Sequence, residues 1–287
     1  MELTRDSNMN NIHKKTVDGF GDEWERFDQS QLTNQEHQEL FDRYFSIFPW
    51  DKLPKDSTGF DMGCGSGRWA KLLAPRVGTL HCIDPSSALD VARRILIDNN
   101  NCQFHKKGVD EEILPHGSQD FGVSLGVLHH IPNTEAGIKA CANMLKPGAP
   151  FLLYLYYALD NRPFWFRFIW LVSNFFRQGI SHLPHKLRYL VSQIIATFIY
   201  WPLARLAYLL EKFGASQSFV DTFPLSTYRK LSFYTMRTDA LDRFGTRLEQ
   251  RFTKKQIIKM MKNSGLEDIS FSEENPYWVA VGFKRQI

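Results

Sequence analysis

A chain of 287 residues can bury a substantial core, and 43% hydrophobic against 23% charged residues is the balance of a globular protein, which excludes disorder as the default. The formal net charge of +4 is mild, and no run of five or more like charges occurs, so the electrostatic footprint of a dedicated nucleic-acid binder is missing. Cys64, Cys82, Cys102 and Cys141 form no CxxC pair and sit in or beside apolar stretches. They are expected to be reduced, buried small hydrophobes of a cytoplasmic protein. The opening MELTRDSNMNNIHKKTVDG has no apolar core of a secretory signal, so export is not expected.

In chain order, residues 1–55 read as a helical preface, with the aromatic and acidic GFGDEWERFDQS followed by the amphipathic QEHQELFDRYFSIF. From 56 to 158 short apolar runs alternate with helical periodicity. TGFDMG, TLHCID, CQFHKKGV, FGVSLGV and APFLLYLYY read as strands; GRWAKLLAPRV, SSALDVARRILIDNN and NTEAGIKACANMLKPG read as helices. Ser86 or Ser87 is the expected N-cap of the second helix, and Lys146-Pro147-Gly148 stops the third. Strands separated by helices imply right-handed crossovers and a parallel, doubly wound α/β sheet.

Residues 159–248 break that rhythm. Dense in aromatic and basic residues and poor in acids, they are expected to form an inserted set of helices. The uncharged YLVSQIIATFIYWPLA is short and holds Pro202, so a peripheral contact of Lys186 to Lys212 with a membrane surface is the stronger expectation than a crossing. Within TMRTDALDRFGTRLEQRFT, Arg237, Asp239, Asp242 and Arg243 are expected to pair with one another, with Arg237 or Arg243 free to meet an anionic substrate. Residues 249–287 return to the core. FTKKQIIKMMKNSG is a helix opened by Thr253 and closed by Gly265; LEDISFS and YWVAVGFK are strands joined through EENP as an antiparallel pair. The fold class is therefore a Rossmann-like, mostly parallel sheet with one antiparallel strand near the C-terminus.

The stretch FDMGCGSGRWA, residues 60–70, places three glycines at alternate positions after an apolar strand. A loop of this kind lets a ligand touch backbone and aims the next helix's N-terminus at it. A dinucleotide fingerprint requires G-x-G-x-x-G, but the sixth position from Gly63 is Arg68 and the third glycine comes early, at Gly67. No GKS or GKT follows, which weakens a P-loop further.

Asp61-Met62-Gly63-Cys64-Gly65-Ser66-Gly67 resembles motif I of the class I S-adenosylmethionine-dependent methyltransferases. The resemblance continues through HCIDPS, GVDEEILPHGSQDF, the Leu128-His129-His130 stretch and the Lys146-Pro147-Gly148 turn, about a hundred residues in all; Val109 stands where the family has a glycine. It implies S-adenosyl-L-methionine as cofactor, with Gly63, Cys64 and Gly65 approaching its methionine part and Asp61 its ammonium group. Asp84, with Pro85 beside it, is implied for the ribose hydroxyls, Asp110 and Glu111 for the adenine, and Leu125 and Gly126 for the rim. Phe20 to Trp24 resemble an F-G-x-x-W stretch of some members, with Trp24 implied as a cofactor cover. His129 and His130 follow the fourth strand, where open α/β sheets bind ligands; either is a candidate general base or a plain backbone hydrogen-bonding group. Asn161, Arg162, Tyr154, Tyr156 and Tyr157 leave the fifth strand as candidate substrate contacts, with two of the three tyrosines expected in the core.

The expectation is a methyltransferase for a small or lipophilic metabolite, apolar or anionic, with the insertion as substrate lid, no metal and no nucleic acid; a homodimer is open. An RNA or tRNA methyltransferase, an NAD-dependent oxidoreductase and a non-catalytic scaffold are the alternatives.

Overall fold

The computed structural model describes residues 11–286. The first ten residues, part of the preface and of the stretch without an export signal, lie outside them.

The preface holds α1 (Lys14–Arg26) and α2 (Asn34–Phe45). Thr33 caps α2 by accepting from the Glu36 N–H at 3.2 Å. The core runs β1 (Thr58–Met62), α3 (Ala70–Leu73), β2 (Thr79–Ile83), α4 (Ala88–Ile95), β3 (Cys102–His105), β4 (Phe121–Leu125), α5 (Thr134–Met144) and β5 (Pro150–Tyr154). All five strands and three helices fall where periodicity places them. Two helices are shorter than expected. Pro75 lacks an N–H, so α3 gives way to a 3-10 turn at Ala74–Arg76. The run Asp98-Asn99-Asn100-Asn101 competes for its own backbone, so α4 ends at Ile95. Ser87 is the N-cap residue of α4, but it is the Ser86 hydroxyl that accepts from the Ala88 N–H, at 3.2 Å.

The insertion comprises α6 (Phe164–Ile180), α7 (His185–Ile195), a π turn (Ala196–Tyr200), α8 (Trp201–Lys212), α9 (Gln217–Thr222) and α10 (Phe233–Gly245). The chain returns through α11 (Lys254–Asn263), β6 (Leu266–Phe271) and β7 (Val279–Lys284). Thr253 and Gln256 close a full capping box at the start of α11. Seven strands form one sheet in the order β3-β2-β1-β4-β5-β7-β6, with β7 antiparallel to both neighbours.

One core cluster includes Phe41, Leu73, Leu89 and Val123; a second includes Phe60, Ile138, Phe151 and Ile257. Burying a Phe or Leu fully is worth about 1.5–3 kcal/mol, so these residues are the main source of the sheet's stability. The insertion adds its own cluster, Ala196, Tyr200, Ala204, Met236, Ala240 and Phe244, in which α10 packs against the π turn. Glu36 of α2 ties preface to insertion: its Oε1 accepts from the Ser232 N–H at 2.9 Å, the Ser232 hydroxyl at 3.0 Å and the Thr235 hydroxyl at 2.7 Å, at the N-terminus of α10. All four cysteines are free thiols; Cys64, Cys82 and Cys141 are buried, while Cys102 on edge strand β3 is half-buried.

Candidate functional site

From β1 the chain builds outward through β2 to β3, then crosses back to place β4 on the other side of β1. Open α/β sheets bind ligands at the carboxyl end of such a reversal, and here that end carries the glycine loop. The Gly63 and Cys64 N–H groups donate to the Ile83 carbonyl at 2.7 and 3.0 Å, anchoring the loop to the end of β2. Asp84, the next residue, organises the rest. Its Oδ2 accepts from the Gly65 N–H at 3.0 Å, and its Oδ1 accepts from the Ser86 N–H and hydroxyl at 2.8 and 2.5 Å. Burial raises the Asp84 pKa above its ordinary value, and these bonds counter that.

Gly63 adopts φ +77° and Gly65 φ +54°. A Cβ on Gly63 would stand 2.4 Å from the Val127 side chain, and one on Gly65 would stand 3.0 Å from Trp24 Nε1. The loop is thus packed from both sides, with the indole of α1 seated on the glycine.

A cavity of about 360 Å³ opens above this loop. Its floor and one side are formed by Gly63, Cys64, Gly65 and Ser66, then Asp84, Pro85 and Ser86, with Leu125 and Gly126 at the end of β4. Phe20 and Trp24 of α1 border it too. The cavity continues inward between the sheet edge and the insertion. There it meets Tyr44, Tyr154, Tyr156, Tyr157, Tyr200 and Tyr228, together with Asp239, Asp242, Arg243 and Arg251. All three tyrosines at the end of β5 reach it, where two were expected in the core.

Not every residue named from sequence borders this space. Asp61 lies within β1, 1% exposed, with Oδ2 unpartnered; burial, with Asp84 adding repulsion, pushes its pKa up to about 7. Asp110 is exposed, and its Oδ2 accepts from the Asn11 N–H at 2.6 Å. Glu111 closes its own turn by accepting from the Gly108 N–H at 2.6 Å. Neither borders the cavity, because preface and local turn have taken both carboxylates. Asn161 is exposed and Arg162 donates to the Asp221 carbonyl at 2.9 Å, so both stand outside as well.

The two histidines take different positions. His129 is fully buried, its ring 3.9 Å from those of both His130 and Tyr156, and neither ring nitrogen has a partner. Burial, reinforced by His130 and Arg251, holds its pKa well below the ordinary value. His130 borders the cavity, with Nδ1 2.7 Å from the Leu248 carbonyl and Nε2 unpartnered. A carbonyl only accepts, so Nδ1 carries the proton and Nε2 presents a lone pair. Burial lowers the His130 pKa to about 4, against the raising effect of the Leu248 bond, so the ring is neutral at physiological pH.

The inner wall corrects a sequence expectation. Arg237, Asp239, Asp242 and Arg243 do not pair with one another. Arg237 donates to Gln193 Oε1 at 2.5 Å and to the Tyr189 hydroxyl at 2.9 Å, away from the cavity. Arg243 and Arg251 both bond Glu249, at 2.6 and 2.8 Å, and these two arginines with Arg177 hold the Glu249 carboxyl below its ordinary pKa although burial pulls it the other way. The Tyr156 hydroxyl donates to Asp242 Oδ2. Burial pushes Asp239 and Asp242 up to about 6. Glu23, buried nearby with Oε1 unpartnered, is raised well above its ordinary value by burial and by Asp242 and Asp239. Thr235, Thr238, Asp239 and Asp242 recur at i, i+3, i+4 and i+7, so they form one face of α10. That polar face was the available signal. Tyr44, Tyr200, Tyr228, Glu249 and Arg251, from four separate segments, carried none.

A family model described as a methyltransferase domain matches residues 60–151. The ubiquinone biosynthesis O-methyltransferase of Azoarcus sp. (strain BH72) is 32% identical over 107 residues, which is 36% of this chain and 44% of that enzyme. The probable tRNA methyltransferase 9B of Mus musculus is 31% identical over 104 residues, 33% of this chain and 21% of that protein. The chain thus spans less than half the length of these relatives, and their names range from a small molecule to RNA. Among solved structures, an O-methyltransferase family protein from Burkholderia thailandensis aligns with 91% of this chain and 59% of its own length, at 13% identity and TM-score 0.53, which establishes the shared fold. A domain of this family uses S-adenosyl-L-methionine, and the residues fit it: a glycine cradle that a Cβ would fill, an acid at the end of β2, and the buried, unpartnered Ser66 hydroxyl on the same loop. In residues 60–151 the chain therefore carries a methyltransferase domain of the class I S-adenosylmethionine-dependent family.

Proposed function

We propose that this protein methylates a hydroxyl group of a small amphipathic molecule, with His130 as general base. One observation carries the reading: the glycine loop, the inner wall and His130 border a single cavity, and His130 Nε2 has no hydrogen-bond partner.

When bound, the cofactor supplies an electrophilic methyl group on a sulfonium. Gly63, Cys64 and Gly65 would hold its methionine part and Asp84 its ribose, with Trp24 covering the loop. Asp61, Asp110 and Glu111 are left to act at longer range, since none borders the cavity. The acceptor would occupy the inner half, its apolar body against the tyrosines and its polar substituents toward Asp239, Asp242, Arg243 and Arg251. A hydroxyl arrives protonated. His130 Nε2 accepts that proton as the oxygen–carbon bond forms and the carbon–sulfur bond breaks, and the Leu248 carbonyl stabilises the imidazolium through Nδ1. Positioning the two reactants and excluding water supply the rest of the rate. The insertion serves as lid and specificity wall.

Titration calorimetry with S-adenosylmethionine and S-adenosylhomocysteine tests the cofactor half; absence of heat with either removes the proposal. A panel of amphipathic alcohols and phenols with methyl-labelled cofactor tests the other half. Transfer to carbon or nitrogen alone, with hydroxyl acceptors inert, overturns the assignment.

A further inference from the structure

Nearly every large apolar side chain left exposed among the described residues belongs to one segment. Apart from Ile97 and Phe233, all fall between Phe164 and Phe219. α6 exposes Phe164, Phe168, Phe175 and Phe176 at 58–81% of their surface, and the continuous helix His185–Lys212 exposes Leu187, Leu190, Ile194, Phe198, Ile199 and Trp201 at 47–74%. A helix on the surface of a water-facing protein puts polar residues there.

This long helix is anchored along one side. Arg188, Ser192, Ala196, Tyr200 and Ala204 are buried; Arg188 donates to the Gly245 carbonyl at 2.8 Å, and Tyr200 borders the cavity. Only 28% of its apolar window is buried, so it is no core helix, yet one side remains committed to α10. The helix is long and apolar enough to cross a bilayer, unlike the short stretch read from sequence, but a side committed to α10 favours a place along the surface.

Charge selects the surface. Residues 163–216 hold six lysines and arginines against one acidic residue, Glu211. Arg167, Lys186 and Lys212 are exposed, and the latter two flank the apolar stretch at its ends. A self-complementary dimer through this face would bring the same cations together, whereas anionic phospholipid neutralises them. Exposed Trp165, Trp201 and Tyr208 add the amphipathic aromatics of a membrane interface.

We infer that α6 and the His185–Lys212 helix dock the protein on the surface of an anionic phospholipid bilayer. The inference stands apart from methyl transfer, and its test needs no substrate.

The full chain is to be sedimented with phosphatidylcholine vesicles and with vesicles containing phosphatidylglycerol. Binding to the anionic vesicles, weakened by salt, is expected. Phe175→Ser with Phe198→Ser should lower it at least tenfold, and Lys186→Glu with Lys212→Glu should remove the preference for anionic lipid, while calorimetric binding of S-adenosylhomocysteine is unchanged in both double variants. No binding to either vesicle overturns the inference. So do self-association through this face that persists when vesicles are present, and resistance to alkaline extraction, which would mark a spanning helix.

Discussion

The carbonyl oxygen of Leu248 stands 2.7 Å from Nδ1 of His130, a contact between residues 118 apart that assigns the imidazole its tautomer. The chain leaving α10 thereby directs the lone pair of a histidine that follows β4. His130→Ala should lower kcat about 10²- to 10⁴-fold, the usual worth of a positioned general base. S-adenosylhomocysteine affinity, read by calorimetry, should stay the same. A fall in that affinity with kcat preserved would place His130 in cofactor binding.

Asp84 accepts one hydrogen bond from the glycine loop and two from Ser86, and is implied for the ribose as well. Charge-assisted bonds of this kind are worth about 1.5–3 kcal/mol each, so Asp84→Ala should weaken cofactor binding at least tenfold. Asp110→Ala should change it less than Asp84→Ala, because Asp110 is engaged by Asn11 and exposed. Equal losses in calorimetry would show that the segment after β3 rearranges when the cofactor binds.

Asp239 titrates at about 6 when folded against 3.8 in a model peptide, burial being the main cause. The folded state then binds more protons than the unfolded between these values. The stability this group contributes is complete below 3.8 and is lost as pH rises through 6, roughly 3 kcal/mol in all. Asp239→Asn avoids that loss. It should stabilise the protein at pH 8 in urea unfolding, and the advantage should fade as pH falls toward 4. A difference that does not vary with pH would mean that the carboxylate is paired when ionised.

Gly63→Ala places a Cβ 2.4 Å from Val127 at a φ of +77°. Backbone of this hand costs an alanine about 1–2 kcal/mol before the clash is counted. The variant should lose several degrees of Tm and most cofactor binding. Trp24→Ala should keep the fold and lose affinity alone, since it removes the cover and leaves the cradle intact.

The core was readable because each strand is an apolar run and two of its helices carry their own stop, at Lys146-Pro147-Gly148 and at Gly265, whereas the break at Pro75 was missed. Nearby spacing likewise exposed the glycine loop and Asp84, which adjoin consecutive ends of β1 and β2. The inner wall was not readable in the same way. Tyr44, Tyr200 and Tyr228 are apolar-looking positions of amphipathic helices and turns, and only tertiary packing distinguishes a tyrosine facing a cavity from one in a core. Arg237 and Arg243 illustrate the limit: six residues apart on α10 they point to different partners, Gln193 and Glu249, which charge pattern alone does not separate. Asp110 was located by motif spacing, but the partner that engages it, Asn11, comes from the preface 99 residues earlier.

The π turn at Ala196–Tyr200 has a consequence beyond its own residues. Buried positions 188, 192, 196, 200 and 204 recur at intervals of four, whereas an α-helix completes a turn in about 3.6, so the pattern would drift around a regular helix by about 160° across its length. One widened turn cancels much of that drift, acting as a phase correction between the two halves. Closing that turn to a regular α-helix with every residue kept would rotate everything after it by about 100°, carrying Ala204 and Ala207 out of their buried positions and bringing Leu203 and Leu206 round toward them. The one inserted residue thus keeps the cavity wall and the outward apolar face in register with each other.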